Sequence, residues 1–340
     1  MKNNIPWKKI FYWLILIGFV YAISTNLADI ENVISILQRA EPVLLILAVV
    51  VQMMAVYALS STLLQGSRLV GIKNNSNRSF FYYLMMLFFN VALPFGAWGG
   101  MFIYSKRLSS GSHKSTLGVW VGVMLAQIVV NMVYFLFICA GLLYLDLTGF
   151  KGLSILVISA VIFLFLHSLI LLFMWFSTYR PLYLKKFVLG TKEFLGTFGG
   201  IRKVSFLQMG TSKINSWLDD FNISTRIIMN GKDSRSLGLV FMKGFVTVSL
   251  SVIVLWLLFL SFQIHVDAFQ LIVGIGVIYL FTVVSPTPYG IGFVEGAAQL
   301  VFSGVGVPKE AAVVIVLAYR GLSVWLPIFL GFFVFRRMGK

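Results

Sequence analysis

Two residues of opposite charge stand inside apolar segments of the chain, where charges are costly. Glu295 follows directly on a segment with two prolines and two glycines, SPTPYGIGFV, and Arg320 lies about nine residues into the apolar segment 311–335. At about 1.5 Å per residue, Arg320 would lie near the middle of a membrane-spanning helix. A buried carboxylate and a buried guanidinium at similar depth most simply pair with each other.

A second interpretation gives the same two residues a binding function. Arg320 would face a cavity and bind an anionic head group, because its planar fork matches a phosphate group. Glu295 would then be the resting partner of Arg320, a proton-coupling group or a contact for a cationic head group. The two interpretations are compatible if a substrate displaces the ion pair.

The residues before Glu295 predict a broken helix. Pro288 removes a backbone donor, and Gly290 and Gly292 open conformations that other residues avoid. Irregular backbone inside a membrane needs protein or a water-filled cavity around it. A similar break is predicted after Asn90, with a turn near Leu93–Gly96. The candidate substrate-binding residues are Arg320, Glu295, Pro288, Gly290, Gly292, Asn90, Pro94 and Gly96.

The composition predicts an all-α polytopic membrane protein. Of 340 residues 59% are hydrophobic and only 11% are charged, which is too few to cover a soluble surface of this size. The net charge of +16 lies in loops beside apolar segments. It therefore indicates contact with anionic lipids at the cytoplasmic surface of the cell membrane and no nucleic acid. Segment 10–27 lacks a clear cleavage site and is predicted to be a retained span.

The sequence predicts neither a metal site nor an enzyme. It has one cysteine, and its three histidines lie far apart without metal-ligand spacing. Nucleotide-binding loops, membrane carboxylate pairs, HExxH and nucleophile-elbow serines are not found. We therefore expect no catalytic residues, no metal and no cofactor.

Loop charges predict how the chain crosses the membrane. Six segments are long enough to span it: 10–27, 43–65, 117–145, 153–178, 237–262 and 311–335. The positive-inside rule places both termini and the basic segment 179–236 in the cytoplasm. The interrupted segments 80–104 and 268–304 must then each begin and end on one side, and the two sides are opposite. Each is predicted to be a re-entrant hairpin. The alternative is a pair of Pro-kinked full crossings, which would also return the chain to the side on which the segment began.

This topology makes the chain a single membrane domain with an inverted repeat. The first repeat would cover 43–145 and the second 237–335, joined by the basic amphipathic linker 179–236. Matching broken helices in two halves are typical of transporters with a substrate site at mid-membrane. The mixture of aromatic and basic residues in the linker predicts helices that lie on the inner leaflet. The alternative is an ordinary basic loop.

Other polar residues in apolar segments predict helix–helix hydrogen bonds. Gln127 and Asn131 are four residues apart on one helix face, and His167 is mid-span. A proton relay is the alternative for His167. Asn90, four residues before Pro94, is the best candidate among them to line a cavity.

The run Pro288-Tyr289-Gly290-Ile291-Gly292-Phe293-Val294-Glu295 resembles a family signature, Pro-x-Gly-x-Gly-x-x-Glu. The signature is that of the transmembrane domain of lysylphosphatidylglycerol synthases. Gly306-Val307-Pro308, Ala318-Tyr319-Arg320 and Trp325-Leu326-Pro327 continue the pattern, and Asn90-Val91-Ala92-Leu93-Pro94 resembles its first proline motif. Segment 98–103 departs from the family pattern, because many stand-alone relatives carry a Glu and an Arg just after the first proline motif.

The resemblance implies a function in lipid translocation. In multidomain members this region is the flippase, and a separate cytoplasmic domain performs aminoacyl transfer. The resemblance therefore implies a stand-alone flippase for an aminoacyl-phosphatidylglycerol, a polyprenyl-linked phosphate or a similar lipid. The alternative is a non-transporting lipid-binding subunit, or a membrane-embedded enzyme that acts with a partner. A homo-oligomer is compatible with either hypothesis.

Overall fold

The computed structural model describes residues 36, 38–92, 96–110, 112–113, 115–196, 210–230 and 234–338. All regular secondary structure in these residues is helical, which confirms the predicted all-α fold. The predicted span 10–27 lies outside them. The twelve described α-helices are α1 Pro42–Leu69, α2 Ser76–Ala92, α3 Gly96–Ser109, α4 Thr116–Leu147, α5 Leu153–Tyr179, α6 Pro181–Gly196, α7 Thr211–Asn230, α8 Ser234–Ser261, α9 Ala268–Val284, α10 Phe293–Gly304, α11 Lys309–Arg320 and α12 Leu326–Met338.

Five helical segments are long and apolar enough to cross a membrane. They are α1, α4, α5, α8 and the continuous segment Lys309–Met338 that contains α11 and α12. Each coincides with a span predicted from the sequence. The chain is therefore a multi-pass membrane protein, and the side of the membrane on which each terminus lies stays a prediction.

A short capped helix opens the second predicted hairpin. The Asp267 carboxylate accepts a hydrogen bond from the Gln270 N–H at 2.7 Å, and the Gln270 side chain accepts one from the Asp267 N–H at 2.9 Å. This capping box fixes the start of α9 at Ala268. Helix α9 ends at Val284 because Pro286 cannot continue it.

Helices α9 and α10 form an antiparallel hairpin. Near the start of α9, the Gln270 amide donates to the Val305 carbonyl at 2.7 Å, just past the end of α10. At the other end, Gly290 packs against the backbone of Phe281 and Thr282. The two helices have 17 and 12 residues, each below the roughly 20 that a full crossing needs. The lengths support a re-entrant hairpin, which stays a prediction.

Helices α2 and α3 also pack as an antiparallel pair. The Ser79 and Tyr104 hydroxyls are 2.7 Å apart, and Gly100 lies against Asn90 and the Met86 carbonyl. The predicted break near Leu93–Gly96 falls between the end of α2 at Ala92 and the start of α3 at Gly96. Residues 93–95 lie outside the described residues.

A π-helical turn at Gly321–Trp325 joins α11 to α12. The Leu326 N–H donates to the Gly321 carbonyl, five residues back instead of four. Pro327 explains the change, because its ring has no N–H and would clash with a carbonyl four residues earlier in a regular helix. Such turns are frequent at functional sites. The span predicted at 311–335 is present as one continuous helical segment that contains this turn.

The described chain divides into two compact units. The first contains described residues up to 55, 134–163 and 248–326, and so the α9–α10 hairpin. The second contains 56–133, 164–247 and 327–338, and so the α2–α3 hairpin. Each has its own apolar core, represented by Val273, Val277 and Val301 in the first and by Leu63, Leu64 and Tyr104 in the second. The predicted division into two sequence repeats stays a prediction.

In the described part of the predicted cytoplasmic linker, α6 and α7 are the two helices. Lys185 of α6 pairs with Asp219 of α7 at 2.6 Å, and Arg226 of α7 donates to the Thr178 carbonyl at 3.3 Å. Tyr183, Phe187 and Phe194 share one face of α6 and are all more than 60% exposed. An exposed aromatic stripe beside lysines is typical of a helix on a membrane surface. The position of α6 on the inner leaflet stays a prediction.

Helices α1 and α4 approach each other at two glycines. A Cβ at Gly122 would collide with the Gly66 carbonyl, and a Cβ at Gly66 would collide with the Gly122 carbonyl. Small residues at such crossings are typical of membrane helices. This contact lies within the second unit.

Replacing Gly122 with alanine should destabilise the protein. We expect a loss of about 1–3 kcal/mol, because backbone on the facing helix must move to make room for the methyl group. Thermal unfolding of the purified protein in detergent micelles measures it. Gly238→Ala is the matched control, since a Cβ on Gly238 of α8 meets open space. Equal melting temperatures for the two variants would contradict the close crossing.

Candidate functional site

Arg320 is the last residue of α11 and directly precedes the π-helical turn. Its side chain is only 3% exposed. The Arg320 Nε–H donates to Glu295 Oε1 at 2.8 Å. The predicted ion pair between these residues is therefore present. It is one of two ion pairs within 4 Å among the described residues, and the other, on α6 and α7, is considerably more exposed.

Glu295 is held by its own helix as well as by Arg320. It is the third residue of α10, and its Oε2 accepts a hydrogen bond from the Gly292 N–H at 2.6 Å. The partial positive charge of the helix N-terminus also favours a carboxylate at this position. Both carboxylate oxygens are thus engaged, and the side chain is 13% exposed. These two contacts fix the position of the carboxylate.

The hairpin tip is built on left-handed backbone. Tyr289, Gly290 and Gly292 have φ values of 55°, 69° and 88°. For tyrosine this conformation costs about 1–2 kcal/mol, whereas glycine adopts it freely. The Tyr289 carbonyl accepts a hydrogen bond from Arg320 Nη2 at 2.6 Å. Arg320 therefore ties α11 to both the tip and the start of α10.

The guanidinium retains donors beyond these two bonds. Arginine has five N–H groups, and the contacts to Glu295 and Tyr289 use one on Nε and one on Nη2. The Nη1 atom donates to none of the described residues. A phosphate or carboxylate group that approached Arg320 would therefore find donors in a bidentate arrangement.

The structure brings the candidates of the second predicted hairpin together. Gly290, Gly292, Glu295 and Arg320 lie around one turn, and Pro288 begins the 3₁₀ turn that forms the tip. The candidates of the first hairpin belong to the other unit. There, Asn90 is 5% exposed and packs against Gly100, Gly96 begins α3, and Pro94 lies outside the described residues. A substrate-binding role for all eight stays a prediction.

The predicted interhelical contact is present for Asn131 and His167, whereas the bond between Gln127 and Asn131 lies within α4. Asn131 of α4 hydrogen-bonds His167 of α5 at 2.6 Å, and Gln127 donates to Asn131 at 2.8 Å. His167 is 4% exposed. The geometry accounts for His167 as a link between α4 and α5.

The backbone carbonyl that contacts Arg320 was not predicted from the sequence. The Tyr289 carbonyl accepts a hydrogen bond from Arg320. Every residue has a backbone carbonyl, so the residue type does not mark this contact. The nearest signal was Gly290, which marks a turn at the correct place. The π-helical turn after Arg320 was also missed, although Pro327 marks it.

The family of the chain is identified by its match to known sequences. The profile described as the lysylphosphatidylglycerol synthase TM region matches residues 10–331. The chain belongs to this family. It is also similar to the UPF0104 membrane protein MJ1595 of Methanocaldococcus jannaschii, with 26% identity over 325 residues, 94% of this chain and 92% of the relative. The resemblance inferred from the proline-glycine motif is confirmed, and this membership in the lysylphosphatidylglycerol synthase TM family suggests a function related to membrane lipids.

Proposed function

We propose that the protein is a flippase-like transporter that moves a polar or charged phospholipid between membrane leaflets. An aminoacyl-phosphatidylglycerol or a polyprenyl-linked phosphate fits the proposal. The observation that carries it is the buried Arg320–Glu295 pair, which lies at the tip of a broken-helix hairpin in an apolar protein. Broken helices around a charged site are a common way to build a substrate site in transporters.

The ion pair suits exchange of one anion for another. A lipid phosphate that approaches Arg320 would replace Glu295 as the partner of the guanidinium. The guanidinium would then stay compensated, so the exchange avoids the large penalty of leaving this buried cation unpaired. Glu295 would keep its bond to the Gly292 N–H and could accept a proton or contact a cationic part of the head group.

The hydrogen bonds of the hairpin tip would couple binding to a change of shape. Arg320 Nη2 holds the Tyr289 carbonyl, and Tyr289 is in a conformation that needs support from its surroundings. A head group that turns the guanidinium would weaken this bond and release the tip. Movement of the α9–α10 hairpin is the step we propose for transfer of the head group across the membrane.

A leaflet-selective quenching assay in proteoliposomes tests the function. Labelled phosphatidylglycerol, aminoacyl-phosphatidylglycerol, polyprenyl phosphate and phosphatidylcholine are compared for wild type, Arg320→Lys and empty liposomes. Lysine keeps the positive charge but lacks the forked N–H donors of the guanidinium. We therefore expect the lipid translocation rate of this variant to be lower than that of wild type by about 10-fold or more. A wild-type rate no faster than that of empty liposomes with every lipid would sink the proposal. That result would favour a lipid-binding subunit without transport.

A further inference from the structure

A second charged site lies in the other unit, on the face shared by α1 and α8. Lys243 is the tenth residue of α8, about 13 Å from its start, within a helix apolar enough to span a membrane. It is half-buried, and its Nζ donates to Ser61 Oγ of α1 at 3.0 Å. A lysine at this depth needs an explanation.

Ser61 begins a polar stripe on α1. Gln65 and Arg68 follow at four and seven residues, the spacing of one helix face. Arg68 Nη1 donates to Gln65 Oε1 at 3.3 Å, and its Nη2 donates to the Asn74 carbonyl at 3.5 Å. The contact of Lys243 with Ser61 and the contact of Arg68 with Gln65 lie one helical turn apart on this face of α1. Two cations therefore share one polar strip.

These two cations have no carboxylate partner in the part of the chain that the structure describes. The ion pairs within 4 Å there are Lys185–Asp219 and Arg320–Glu295. The half-buried Lys243 ammonium and the exposed Arg68 guanidinium carry like charges that repel each other, and an anion between them would remove that cost. The Lys243 ammonium has three N–H groups, of which the bond to Ser61 uses one.

The surroundings of Lys243 suit the acyl chains of a lipid. Phe241, Met242, Phe245 and Val246 are each at least 45% exposed on α8. Arg68 is itself exposed, so the strip is open at that end. Together these residues combine apolar surface with a cationic strip, as the binding of an amphiphile requires.

We propose that Ser61, Gln65, Arg68 and Lys243 form a binding site for the phosphate group of an anionic membrane lipid. It shares no residue with the Arg320–Glu295 pair and does not depend on the transport function. Lys243 and Arg68 neutralise the phosphate, and Ser61 and Gln65 orient the two cations. The site binds a lipid whether or not the protein transports that lipid.

Native mass spectrometry of the full chain, purified in detergent with added phosphatidylglycerol, tests the site. Lys243→Met should retain phosphatidylglycerol about tenfold more weakly, because a charge-assisted contact is lost. Lys73→Met is the matched control, since Lys73 is exposed and the same charge is removed. That control and Lys243→Arg should stay within about twofold of wild type. Melting temperatures establish that each variant is folded.

Two further measurements decide the ligand and keep the test independent of folding. Arg68→Met alters an exposed residue and should also weaken phosphatidylglycerol retention. Displacement of the lipid by inorganic phosphate would show that the phosphate group alone is recognised, whereas retention in its presence would assign the site to the intact lipid. Unchanged lipid retention in folded Lys243→Met, or an equal loss in Lys73→Met, would overturn the proposal and leave Lys243 as a residue that only extends towards the membrane surface.

Discussion

Replacing Glu295 with alanine is expected to destabilise the protein by about 3–5 kcal/mol, the usual cost of removing one partner of a buried ion pair. The variant leaves Arg320 without its carboxylate in a position where its side chain is only 3% exposed. The Gly292 N–H also loses its acceptor, which adds to the loss. Unfolding of wild type and variant in detergent micelles measures the difference.

The double variant Glu295→Leu/Arg320→Leu distinguishes the free energy of the ion pair from the contributions of the two side chains taken singly. Replacing both charges with apolar side chains leaves no uncompensated charge, so much of the stability should return. In the cycle with the two single Leu variants, we expect a coupling free energy above about 1 kcal/mol. Strictly additive losses would mean that the carboxylate and the guanidinium do not interact, contrary to their 2.8 Å contact.

Replacing Gly290 with alanine is the second change with a large expected effect. Gly290 has a φ of 69°, which costs a residue with a Cβ about 1–2 kcal/mol. The new Cβ would also lie 2.8 Å from the Phe281 carbonyl oxygen and 3.0 Å from Thr282 Cα. Because overpacking adds about 1–3 kcal/mol, the total loss should be about 2–5 kcal/mol.

Two neighbouring glycines provide graded controls for Gly290→Ala in the same unfolding experiment. Gly292 has a φ of 88° but open space at its Cβ position, so Gly292→Ala should show the backbone strain alone. Gly296 lies in α10 with no positive φ and no nearby atom, so Gly296→Ala should be neutral or slightly stabilising. Equal effects of all three substitutions would contradict the described hairpin tip.

The helices and the hairpin break were predictable because their physical causes are local. A run of about 20 apolar residues is sufficient to indicate a spanning helix, and five such runs coincide with long helices. The break before α10 was predictable because the prolines and glycines of segment 286–292 interrupt a helix locally. The π-helical turn depends on how the chain accommodates Pro327, and a single proline does not distinguish it from an ordinary kink.

The ion pair was predictable for a different reason. Glu295, Arg320 and Lys243 are the charged residues inside the predicted apolar segments, and Glu295 is the acidic one, so few alternative partners existed. The contact between Lys243 and Ser61 joins residues 182 positions apart and involves a common serine. Nothing in their types marks them as neighbours, so this contact required the three-dimensional structure. The same is true of the Tyr289 carbonyl that completes the site of Arg320.

The rate of lipid translocation by Glu295→Leu/Arg320→Leu in proteoliposomes tests most directly whether the buried ion pair carries the head group. The double variant is compared with wild type after both are shown to be folded by their melting temperatures. We predict that translocation of labelled anionic lipid falls to the rate of empty liposomes while the protein remains folded. A translocation rate equal to that of wild type would contradict a role of Arg320 and Glu295 in lipid transport.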